Sequence, residues 1–139
     1  KEDTMTKDKI YDYFINKDFN CAESMLHALN DEYALHIPDP AFKLIGGFGG
    51  GMACGKNCGA LCGGCAALGW TMIQERAHTT PGLREAAAEY ATKFTKHFGS
   101  DRCDCLSPVY KKPDTRCLQL LEQAADIFDQ VWKDFDIEK

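Results

Sequence analysis

Cys54, Cys58, Cys62 and Cys65 fall within twelve residues at spacings of four, four and three, behind the glycine-rich run GGFGGGM. Sulfurs so placed can ligate a soft metal, exchange electrons as a dithiol, or fill a core as small hydrophobes. Four more cysteines, Cys21, Cys103, Cys105 and Cys117, are spread over the rest of the chain. A disulfide scaffold would be shorter and would scatter its cysteines through loops. Reduced thiols serving metal or redox chemistry, in a cytoplasmic setting, are the expectation.

Those thiols need elements to carry them. Thr4 to Lys17 has Ile10, Tyr13, Phe14 and Lys17 at helical spacing. Asn20 with Glu23 three residues on forms a capping-box pattern, which places Cys21 at the first position of a helix reaching Tyr33. Free N–H groups and the helix dipole favour a thiolate there, although a buried structural cysteine fits equally. Pro40 opens a short helix through Ile45, which the glycines then end. From Asn57 or Cys58 a helix is expected to about Ala77, with Cys58, Cys62, Cys65 and Gly69 on one stripe. Thr80 and Pro81 signal the start of another helix, which ends at Gly99. Ser100 to Asp114 reads as a loop carrying Cys103 and Cys105. Asp114 or Thr115 then caps a last helix with Cys117 in its first turn. The pattern predicts an all-α fold: a single-domain bundle of about five helices over residues 1–139, with a glycine-rich turn before the central helix.

Composition narrows the classes. A net charge of −5, with no Lys/Arg cluster, argues against nucleic acid. No apolar run is long enough for membrane insertion, and KEDTMTKDKI is not a signal-peptide pattern. The glycine run lacks the G-x-x-x-x-G-K-[ST] pattern of a nucleotide loop, because Lys56 precedes Asn57. His27, His36, His78 and His97 show no ligand spacing, and no pattern suggests hydrolysis. Trp70 and Trp132 read as core or helix-interface residues. The apolar stripe of the last helix suits either a core or a homodimer.

Three segments carry a resemblance. Asn20-Cys21-Ala22, the run Phe48 to Met52, and Cys58-Gly59-Ala60-Leu61-Cys62-Gly63 resemble the redox-active protein family named for its C…GCAxxG…C…C pattern. Gly64 to Gly69 also spells GCAxxG, but the Cys58 register keeps the spacing from the glycine run. The resemblance implies four working cysteines, Cys21, Cys58, Cys103 and Cys117, drawn from two helix starts, a glycine-rich turn and a loop. Cys54, Cys62, Cys65 and Cys105 are then additions, and they are candidates for a second metal or cluster site. A fainter likeness to split-Soret cytochromes extends to their iron–sulfur part only, because this chain has no C-x-x-C-H for haem attachment.

Four thiolates with bridging sulfide ligate [2Fe–2S] and [4Fe–4S] clusters, and the same four can close around zinc. The leading expectation is an electron-transfer protein that binds an iron–sulfur cluster and serves a redox partner protein. The alternatives are a thiol–disulfide oxidoreductase using Cys58 or Cys21, and a bundle held by structural zinc.

Overall fold

A computed structural model describes residues 5–137, which are mostly helical and contain no strand. Among them are α1 (Cys21–Tyr33), α2 (Gly59–Met72), α3 (Leu83–Phe98), α4 (Cys103–Tyr110) and α5 (Leu118–Asp134). Shorter 3-10 or π segments lie at Thr6–Lys9, Asp12–Asn16, Asp39–Phe48, Gly51–Gly55 and Ala77–Thr79. The all-α class is as expected, but the helical segments outnumber the five or so anticipated. Thr4, the expected start of the first helix, lies outside the described residues. Beyond it the chain winds through short 3-10 and π turns that still bury Ile10 and Phe14.

The start of α1 follows from its cap. Asn20 Oδ1 accepts from the Glu23 N–H and Glu23 Oε1 accepts from the Asn20 N–H, each at 2.9 Å. Two of the N–H groups that a helix start leaves without partners are thereby satisfied. Asn20 Nδ2 also donates to the Gly46 carbonyl at 2.8 Å, which ties the helix start to the glycine segment.

Helix α2 is central and packs against α1, α3 and α5. Its small residues allow the close approach. A Cβ at Gly63 would stand 2.8 Å from the Ala22 carbonyl oxygen of α1, and one at Gly64 would overlap the Tyr90 ring of α3. The α5 stripe of Leu120, Leu121, Ala124, Ala125, Phe128 and Val131 is buried, so the face that suited a dimer serves the chain's own core. The N-terminal segment is clamped to that core through Asp129, whose carboxylate accepts from Thr6 Oγ1 at 2.6 Å and from the Tyr33 hydroxyl at 2.5 Å.

Four boundaries differ from expectation. Helix α2 stops at Met72 rather than Ala77, because Glu75, Arg76 and Ala77 are exposed and have no apolar face to pack. The cap of α3 is Gly82 at φ 83°, since the Thr80 hydroxyl is engaged with the Arg76 carbonyl at 2.8 Å. The expected loop after Gly99 contains α4. Pro108 sits late enough in that short helix that only the Asp104 carbonyl loses an intrahelical partner. Helix α5 begins at Leu118 with Cys117 as its cap, because Arg116 is left-handed at φ 52°. The Arg116 guanidinium lies over the Phe14 ring at 4.1 Å and pairs with Asp18. Trp70 is 46% exposed rather than core, with its Nε1 donating to the Leu35 carbonyl.

Candidate functional site

Each of the four cysteines singled out by the family pattern stands at the start of a different α-helix. Cys21 is the first residue of α1 and Cys103 the first of α4, while Cys58 caps α2 and Cys117 caps α5. The expected loop and glycine-rich turn are thus helix starts as well.

Backbone pairing brings two of these starts together. Asn57 and Arg102 form an isolated antiparallel bridge. The Cys58 N–H donates to the Asp101 carbonyl at 2.8 Å, and the Cys103 N–H donates to the Lys56 carbonyl at 2.6 Å. Gly51–Gly55 buttresses this junction, and a Cβ on Gly55 would press on Asp104 at 2.9 Å. Met52 and Ala53 are left-handed, at φ 57° and 60°, which folds the segment back so that Lys56 can donate to the Gly51 carbonyl.

Cys21 reaches the same junction from α1. Its Sγ lies where a Gly59 side chain would be, closer than 3.0 Å to the position of a Cβ there. The glycine of the Cys-Gly-Ala motif therefore makes room for another cysteine's sulfur.

Mutual electrostatics ties the set together. Burial, and then the neighbouring Cys21 thiol, pushes Cys58 from 9.0 up to about 12, against the favourable Ala60 and Leu61 N–H groups. Burial followed by Cys21 raises Cys103. Cys117 is raised by burial, then by Cys21 and Cys103, with Lys111 and Arg116 opposing. Cys21 thus bears on Cys58, Cys103 and Cys117 alike, and a nearby cation would favour the thiolate form that burial opposes in those three.

The additional cysteines divide. Cys62 is raised by burial and by Cys21, and Cys65 is pushed to about 11 by burial and by Cys62, so these two extend the row along α2. Cys54 and Cys105 are exposed near the junction, and all eight cysteines are free thiols. Among the described residues no three His, Cys, Asp or Glu side chains converge closely enough to hold a single metal ion. Four thiolates are a donor set that fits an iron–sulfur cluster or zinc; in a [4Fe–4S] cluster each would bind a different iron, and in a [2Fe–2S] cluster two would share each iron.

The periodicity of the helix ending at Gly99 puts Tyr90 on its apolar stripe, and it is fully buried; what sequence reasoning missed is its place behind the thiol row, where it donates its hydroxyl to the Ala60 carbonyl at 2.9 Å. Gly64 was the signal for that contact, as the gap that the ring fills. The histidines take no part in the site. His27 is stacked between Tyr13 and Phe42, and His97 Nε2 meets Gln123 at 2.9 Å.

Fold and site together define an all-α, cysteine-rich protein with four of its thiols at helix starts. The family model described as "Putative redox-active protein (C_GCAxxG_C_C)" matches residues 19–131, and the chain belongs to that family. No curated protein and no solved structure matches it. Among the described residues no helix is long and apolar enough to cross a membrane.

Proposed function

We propose that the protein is a single-electron carrier, working in the reducing cytoplasm, whose Cys21, Cys58, Cys103 and Cys117 thiolates hold an iron–sulfur cluster of [4Fe–4S] or [2Fe–2S] type. The observation that carries this reading is that each of these sulfurs stands at a helix start, with the Cys58 and Cys103 starts paired through backbone hydrogen bonds and the Cys21 sulfur seated against Gly59 beside them. A thiolate-ligated cluster is anionic overall, and helix starts offer free N–H donors and positive partial charge. When bound, the cluster would supply a one-electron couple. Around it, burial of Cys58 keeps water away, Gly59 admits the Cys21 sulfur, and Lys111 and Arg116 offset negative charge beside Cys117. The exposed rim at Cys54 and Cys105 would face a redox partner protein.

Burial weighs against Cys58 as the nucleophile of a thiol–disulfide oxidoreductase, since a thiol pushed up to about 12 is almost wholly protonated at neutral pH. Zinc on the same thiolates is the alternative occupant.

The test is anaerobic reconstitution with ferrous iron and sulfide, followed by iron, zinc and acid-labile sulfide analysis and electron paramagnetic resonance. Iron and sulfide should be retained together, and replacing any one of the four cysteines by serine should abolish retention. Protein that takes up neither refutes the reading, and one tightly held zinc per chain replaces it with a structural metal site.

A further inference from the structure

We infer that the protein pairs with a second copy of itself through the uncharged face shared by the Asp39–Phe48 segment and α2, as a weak, two-fold symmetric dimer. The inference owes nothing to the proposed cluster. The buried α5 stripe takes no part in it.

Residues 44–73 carry one charged side chain, Lys56, in a chain that is 27% charged. Helix α2 accordingly has no charged side, and a helix that is apolar all round calls for cover all round. Its neighbours α1, α3, α5 and Asp39–Phe48 leave one strip open. There Leu26, Ile37, Ala41, Ile45, Ala66 and Trp70 line a groove of about 290 Å³, and Leu44 stands on its rim, 82% exposed. The one polar side-chain atom of the groove, Trp70 Nε1, is already engaged with the Leu35 carbonyl at 2.9 Å. The indole is thereby held in place with part of its ring open, as a preformed anchor for an apolar partner.

A second copy fits this face because an apolar knob and an apolar groove lie side by side on it. In a 3-10 segment residues three apart share an edge, so Ala41 and Leu44 lie along the groove together. An antiparallel crossing of two Asp39–Phe48 segments centred on Ala41 sets each Leu44 against the Ile37–Pro38 end of the other copy's groove, the reciprocity that a two-fold interface requires. The same register sets each Lys43 opposite the other copy's Asp39. Both are exposed, and among the described residues neither has an ion pair. Two chains of net charge −5 can meet here without opposing their acids. A lipid surface suits the patch less well, because membrane-binding faces are ringed with Lys and Arg, whereas this rim holds one charge of each sign.

Area sets the strength. A tryptophan presents about 250 Å² and a leucine somewhat less, so the open parts of Trp70 and Leu44 come to roughly 250 Å² per copy. A standard complex buries about 800 Å² per partner, so this dimer is reversible, with a Kd of roughly 10–100 μM.

Sedimentation velocity on the full chain, kept reduced and run from roughly 5 to 500 μM to bracket that Kd, is the test. The average mass should climb from 15.5 kDa toward twice that value. Leu44→Asp should stay monomeric throughout with an unchanged Tm, because the side chain is exposed. Lys43→Glu and Asp39→Lys should each raise Kd by about tenfold, since symmetry makes each change act twice, and the double variant should restore it. Asp39→Lys also reduces the net negative charge, so general repulsion between copies predicts the opposite sign for it. A wild type that stays at 15.5 kDa, a dimer that forms only without reductant, one that survives Leu44→Asp, or one that ignores both single charge variants would each overturn the inference. A monomer that instead sediments with phosphatidylcholine vesicles would give the groove to a membrane surface and overturn it as well.

Discussion

Gly59→Ala tests the seat of Cys21 directly. The added methyl would lie closer than 3.0 Å to Cys21 Sγ and 3.0 Å from the Ala22 backbone nitrogen. Ordinary van der Waals contact begins at 3.4 Å, so the sulfur must move by more than about 0.4 Å, and α1 must yield as well. Overpacking of this kind costs about 1–3 kcal/mol, and the gain in helix propensity over glycine returns about 0.5–1 kcal/mol. The expected net loss is about 1–2 kcal/mol. At about 2.1 cal/mol/K per residue, this chain has an unfolding entropy near ~0.3 kcal/mol/K, so Tm should fall by about 3–7 °C. Thermal unfolding under reducing, anaerobic conditions measures it. The same substitution displaces a proposed ligand, so iron retained per chain should drop together with Tm. Gly47→Ala is the control, because a Cβ there meets nothing within 4 Å. A Gly59→Ala protein as stable as that control, with undiminished iron, would refute the close seating of Cys21 on α2.

Alkylation in the reduced, metal-free state should label the exposed Cys54 and Cys105 first and Cys58 last, as read by mass spectrometry. Iron loading should then protect Cys21, Cys58, Cys103 and Cys117 while leaving Cys54 and Cys105 reactive. Asp129→Ala should cost about 1–3 kcal/mol, because the Thr6 and Tyr33 hydroxyls lose their shared acceptor. Burial raises the Asp129 carboxyl above 3.8, so the native state holds its proton more tightly than the unfolded chain does. That contribution favours folding at low pH and fades as pH rises from 3.8 through the raised value, a slope that Asp129→Asn should remove from denaturant melts. His27 has the opposite sense. Burial lowers it from 6.5, although Asp31, Glu23 and Asp39 oppose the shift. Unfolding therefore takes up a proton below pH 6.5, stability should fall on acidification from there, and His27→Gln should flatten the decline.

The legible parts of the chain were those written in local chemistry. The Asn20–Glu23 capping box fixes its own helix start, so Cys21 falls where the pattern puts it. The apolar stripe of α5 likewise identifies its buried face. Helix α4 was hidden because Pro108 reads as a breaker, whereas its tolerance there depends on how short the helix is. The starts of α3 and α5 were displaced by long-range or conformational facts, namely the Thr80 hydroxyl occupied by Arg76 and the left-handed Arg116 held over Phe14. The gathering of Cys21, Cys58 and Cys103 depends on the Asn57–Arg102 bridge and on the missing side chain of Gly59. Neither has a period or a motif. Only the family pattern anticipated those partners.

Helix α4 has a consequence for how the protein is assembled. It is held by the Gly51–Gly55 segment and by α5, and Leu106 is its one fully buried side chain. Opening it exposes little apolar surface, so it should detach at far lower free energy than the whole fold unravels. Its amide hydrogens should exchange early, and those of α2 should exchange only on global unfolding. Because Cys103 is its first residue, anything that fastens that sulfur also fastens the helix and slows its exchange by mass action. If the proposed cluster is bound, its entry would need only the fraying of one short helix in a chain that otherwise stays folded.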